Sequence, residues 1–81
     1  MAARAFILIE AHVGKIEEVA ARIRQLASMK SVDSVTGPYD IIAVIEAESI
    51  NEIGNLIINK IQLVGGISRT VTCLAVPDSQ V

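Results

Sequence analysis

A chain of 81 residues, 52% apolar and 20% charged with a formal net charge of −2, makes one small domain (1–81, core about 4–76) and excludes a disordered polymer. The seven basic residues are scattered and the only aromatics are Phe6 and Tyr39, so there is no phosphate-binding stripe and no stacking ladder for direct DNA binding. The longest apolar runs, 5–9 and 41–45, fall far short of the roughly 20 residues of a spanning helix, and no basic segment leads into a long apolar one. No membrane helix and no signal peptide are expected, and a cytoplasmic location follows. So short a chain cannot hide this much apolar surface within one protomer, which points to an obligate oligomer.

Residues 4–11 (RAFILIEA) are rich in β-branched side chains and too short for a buried helix; they predict the first strand. Val13-Gly14 punctuates the chain. Ile16, Val19, Ala20, Ile23, Leu26 and Ala27 then recur at helical spacing, with Gly14 as the expected N-cap and Glu17 in the first turn. Residues 31–36 predict a second strand, Gly37-Pro38 a turn, and residues 40–47 (DIIAVIEA) a third strand that closes a hairpin.

Ser49-Ile50-Asn51-Glu52 is a capping box. Ile50, Ile53, Gly54, Ile57, Ile61 and Val64 continue it as a helix ended by Gly65-Gly66, with Leu56 and Ile58 giving that helix a second apolar side. Residues 67–76 predict the fourth strand, closed by Pro77, and residues 78–81 a frayed tail. The fold class is α+β: a ferredoxin-like βαββαβ chain, with an antiparallel four-stranded sheet in the order 4-1-3-2 and two helices on one face. The first and third strands are apolar on both faces. One face takes the helices, and a second copy of the same sheet is the economical cover for the other.

Chemistry is sparse. One histidine, His12, and one cysteine, Cys73, cannot build a metal site, and no cofactor is expected. His12 reads as structural or solvated and Cys73 as a small buried hydrophobe. Glu46 and Glu48 share a strand face at the end of the third strand and read as a solvated end rather than an acid–base pair. No catalytic residue stands out, and the chain does not read as an enzyme.

Two places are harder to assign to structure alone. Gly37-Pro38-Tyr39-Asp40 puts an acid at the mouth of an apolar strand, where the alternative is a residue that only bonds turn amides. Ser68, Thr70 and Thr72 alternate along the fourth strand and would share one face, although threonine is common in strands. A carboxylate and a row of hydroxyls near a subunit boundary suit the ammonium and carboxylate of a small zwitterion.

These motifs resemble the Lrp/AsnC effector-binding domain, also called the RAM domain. Gly37-Pro38-Tyr39-Asp40 running into IIAVIEA is similar to the family's G-x-Y-D turn, and Gly65 to Thr72 (GGISRTVT) to its G-V-x-x-T-x-T run. The resemblance covers residues 4–76. It implies a dimer through face-to-face sheets (a dimeric α/β barrel), often assembled further into octamers or related rings. It also implies an amino-acid effector bound between dimers at Gly37, Tyr39, Asp40, Thr70 and Thr72. The family's N-terminal helix-turn-helix has no counterpart before the first strand, so a stand-alone effector domain is expected, one that reaches regulation by co-assembly with full-length Lrp/AsnC regulators. Alternatives are a structural adaptor oligomer, an ACT-like regulatory domain, and a small dimeric α/β-barrel enzyme of the monooxygenase or isomerase kind.

Overall fold

The four strands form one antiparallel sheet, and the computed structural model describes residues 2–76 of it and its helices. In chain order the elements are β1 (Ala3–Ala11), α1 (Ile16–Arg24), β2 (Met29–Ser34), β3 (Ile41–Ala47), α2 (Ile50–Asn59), a short 3-10 turn (Ile61–Leu63) and β4 (Ile67–Leu74). The sheet order is β2-β3-β1-β4, the ferredoxin-like arrangement with the two apolar strands in the centre. Pro77 and residues 78–81, expected to close the fourth strand and fray, lie outside the described residues.

Alternation along the strands divides the side chains. Ala5, Ile7 and Ile9 of β1 and Ile41, Ala43 and Ile45 of β3 are fully buried against Val19, Ala20 and Ile23 of α1, Ile53 of α2 and Ile61. No polar side chain is buried among the described residues, so burial of β-branched and small apolar groups holds this core together. The other face of the sheet presents Phe6, Leu8, Ile42, Val44, Val71 and Cys73, and among the described residues no helix covers it. Phe6 there is 36% exposed.

Several boundaries differ from expectation, each for a physical reason. Gly14 does not cap α1. It takes a positive φ of 80° in the preceding turn, and Lys15 is the N-cap, without a side-chain bond. The helix stops at Arg24 rather than Ala27, because Gln25 and Leu26 tighten to three-residue bonds with Arg22 and Ile23. Ser28 then turns the chain with φ 74° into β2, which begins two residues earlier than expected. Ser49 caps α2 as its motif predicts, accepting the Glu52 amide at 3.2 Å. Glu52 reaches back to the Glu48 amide at 2.8 Å. That helix ends at Asn59, and the apolar spacing continues only through the 3-10 turn, which buries Ile61. Of the two residues off its main stripe, Leu56 packs on the core and Ile58 stays exposed.

Gly66 is required where it stands. Its φ is +100°, and a Cβ there would lie 2.9 Å from Val19 Cγ2. Its carbonyl also accepts the His12 amide at 2.8 Å, which joins the entry of β4 to the exit of β1.

Candidate ligand-binding site

Asp40 ties the end of β1 and the turn after β2 to the mouth of β3. Its amide donates to Ile9 O at 2.9 Å, and its carbonyl accepts from the Val35 amide at 2.9 Å. Its carboxylate Oδ2 accepts the Ala11 amide at 2.9 Å. The acid therefore bonds a strand end 29 residues away rather than the turn amides, and Oδ1 is left for another donor. Gly37, two residues before Tyr39, has φ +145° and open space around it, so the turn conformation itself favours glycine.

Tyr39 meets β4. The Arg69 guanidinium lies 5.6 Å from the Tyr39 ring centroid, and Arg69 Nη2 donates to the Tyr39 hydroxyl at 3.0 Å. Arg69 pairs in register with Glu10, whose carbonyl and carboxylate both accept from the Ser68 hydroxyl, at 2.9 Å and 3.3 Å. This group, at one end of the sheet, was partly hidden in the sequence. Arg69 occupies an unspecified position of the strand motif, and only the fold brings it to Tyr39.

The hydroxyl row of β4 is shorter than expected. Thr70 pairs with Ile9 and Thr72 with Ile7, so both lie on the side of the sheet that carries the helices. A register shift follows, because Ile67 pairs with Ala11 while Arg69 pairs with Glu10. Ser68 is the extra residue of a bulge, turned to Glu10 and out of the row. Thr70 is half-buried and Thr72 exposed. The structure thus brings Tyr39 to β4 through Arg69, while Thr70 and Thr72 point to the opposite face from Arg69.

The remaining candidates sort simply. His12 has an exposed side chain, and its backbone closes the β1 exit. Glu46 makes a 3.7 Å ion pair with exposed Lys30, worth little at a surface. Cys73 corrects the expectation of a buried thiol. It is exposed beside Phe6 because its side chain belongs to the uncovered face of the sheet, not to the core.

The described residues thus form a ferredoxin-like sheet with one bare apolar face and a polar cluster at the mouth of a central strand. The sequence model of the Lrp/AsnC ligand binding domain matches residues 4–78, and the chain belongs to that family. It is a family of regulatory domains of transcription regulators, not of enzymes. An uncharacterized HTH-type transcriptional regulator of Pyrococcus horikoshii is 31% identical over 58 residues, covering 72% of this chain and 39% of that protein. A counterpart in Pyrococcus furiosus is 30% identical over 59 residues, with 73% and 39% covered. The chain therefore spans about two fifths of the length of these relatives.

Among solved structures, TTHA0845 from Thermus thermophilus matches with a TM-score of 0.89 and 30% identity, over 95% of this chain and 96% of that one. AsnC of E. coli matches with a TM-score of 0.86 and 25% identity, over 98% and 53%. A transcriptional regulator of Neisseria meningitidis, solved as a complex with L-Met, shares the fold with a TM-score of 0.81 at 17% identity, over 91% and 49%.

Proposed function

We propose that the chain is an amino-acid-sensing module that works as a face-to-face dimer and feeds regulation through association with other proteins. The observation that carries the reading is the half-buried Asp40 at the mouth of β3, with one carboxylate oxygen fixed by Ala11 and the other available. An acid held in this way is preorganised to take an ammonium group. Gly37 and Tyr39 shape its approach, and the hydroxyls of Thr70 and Thr72 suit the ligand's carboxylate. Those hydroxyls and the Arg69–Tyr39 end of the sheet lie on opposite faces within one chain. A pocket that uses both Asp40 and the threonines is therefore completed by a neighbouring copy. The L-Met complex of the Neisseria regulator supports an amino acid as the ligand class.

The dimer is supported by the bare apolar face. Phe6, Leu8, Ile42, Val44 and Val71 form its centre, with Arg4, Glu46, Glu10, Arg69 and Asp33 around it, the pattern of an interface with a polar rim. Octamer-like assembly, co-assembly with full-length Lrp/AsnC regulators and a cytoplasmic location complete this reading. No helix among the described residues is long and apolar enough to cross a membrane. A thermal-shift screen of the twenty amino acids tests the function. A ligand at 100 times its dissociation constant raises stability by about 2.7 kcal/mol, and the absence of any shift at millimolar concentration contradicts it.

One observation favours a second reading, an adaptor oligomer without a ligand. The bond to Ala11 and the φ of Gly37 give both Asp40 and Gly37 of the turn a structural task. The same screen separates the two.

A further inference from the structure

Glu10 and Arg69 stand in register across β1 and β4, opposite charges at the spacing where cross-strand pairs form. They make no ion pair with each other. The Ser68 hydroxyl takes Glu10 instead, at its carbonyl (2.9 Å) and at its carboxylate (3.3 Å). Ser68 is free to do so because it is the extra residue of the β4 bulge. Arg69 turns to Tyr39, with its guanidinium 5.6 Å from the ring centroid and 3.0 Å from the hydroxyl.

Tyr39 belongs to the 35–40 connection between β2 and β3. Among the described residues, the backbone of 36–39 makes no hydrogen bond. Gly37 has open space around it. The contact with Arg69 is therefore the side-chain tie from this turn to β4, and Asp40 follows Tyr39 directly in the chain.

We propose that Ser68, by engaging Glu10, leaves Arg69 to act as a positioning residue, which holds Tyr39 against β4 and with it the turn that presents Asp40. The inference rests on the amino-acid reading of Asp40 and adds Arg69, Glu10 and Ser68 to it. None of the three acts on the amino acid directly; each acts through Tyr39. The choice Arg69 makes is finely balanced. Exposed ion pairs, exposed cation–π contacts and single hydroxyl bonds are of similar small size, so one hydroxyl on Glu10 decides which partner Arg69 keeps.

Tyr39 is the only tyrosine and the chain has no tryptophan, so tyrosine fluorescence reads this turn alone. Two measurements on the full chain test the relay. One is acrylamide quenching of that fluorescence. The other is calorimetric titration with each amino acid that raises the wild-type melting temperature, L-methionine included. Arg69→Gln should make Tyr39 easier to quench and weaken binding by about tenfold. Ser68→Ala should do the same, although Ser68 has no hydrogen bond to Tyr39 or Asp40, because Glu10 then captures Arg69. Adding Glu10→Gln to Ser68→Ala should restore both readouts, a rescue that a merely structural role for Ser68 would not give. Ser68→Ala behaving as wild type, or no rescue by Glu10→Gln, overturns the relay. Unchanged affinity in Arg69→Gln overturns the positioning role and leaves the amino-acid reading standing. Binding of no amino acid to wild type overturns that reading, and this role with it.

Discussion

The Asp40 carboxylate accepts the Ala11 amide at 2.9 Å, so an acid at the start of β3 closes the end of β1. One side chain thus has a structural bond and a candidate ligand bond at the same time, and the two are separable. Asp40→Ala leaves the Ala11 amide unmet and should lower stability by about 1–3 kcal/mol. Asp40→Asn keeps an acceptor in place and should remain within about 1 kcal/mol of wild type. Urea denaturation of both variants checks the difference. Equal losses would mean that the bond to Ala11 contributes through charge alone.

The loop into β4 depends on Gly66. Gly66→Ala puts a methyl group 2.9 Å from Val19 Cγ2 in a left-handed backbone state. The strain and the overpacking together should cost about 2–4 kcal/mol. Gly65→Ala, with open space and no left-handed φ, should cost far less. Thermal melts of the pair decide whether the contact with α1 sets this loop.

The two faces of β1 and β3 should respond differently to charge. Ile7 is fully buried under the helices, so Ile7→Glu should abolish folding. Ile42 is on the uncovered face, so Ile42→Glu should block the dimer and lower stability only through lost association. Light scattering on wild type and Ile42→Glu reads this directly. A well-folded wild-type monomer at micromolar concentration contradicts the dimer.

DNA binding by the chain alone is not expected. With a net charge of −2 and scattered basic residues, its sequence offers no basic stripe to displace the counterions condensed on DNA. A salt-dependent gel shift on duplex DNA with the purified chain would contradict this.

The sheet order and the central strands were legible because β-branched runs and helical spacing are local signals. The Ser49 cap was legible because S-x-x-E carries its own mechanism. Apolarity on both sides of β1 and β3 also foretold the bare face. What escaped was tertiary. The bulge at Ser68 arises from the register between β1 and β4, and no pattern in the β4 sequence alone announces it. Arg69 meets Tyr39 only because strand pairing brings residues 30 apart into contact. The exposure of Cys73 follows from which face of β4 it occupies, whereas cysteine's average behaviour pointed inward. Within the candidate site, the motif positions were readable, but the division of Tyr39–Arg69 and Thr70–Thr72 between opposite sheet faces was not.

The most direct test of the account is calorimetric titration of wild type and Asp40→Asn with the amino acid that gives the largest thermal shift. Loss of a charged hydrogen bond should weaken binding by about 1.5–3 kcal/mol, roughly ten- to a hundredfold in Kd, with the variant's melting temperature and dimer preserved. An unchanged affinity in Asp40→Asn, or no binding of any amino acid to wild type at millimolar concentration, would contradict the assignment of Asp40 as the ammonium site.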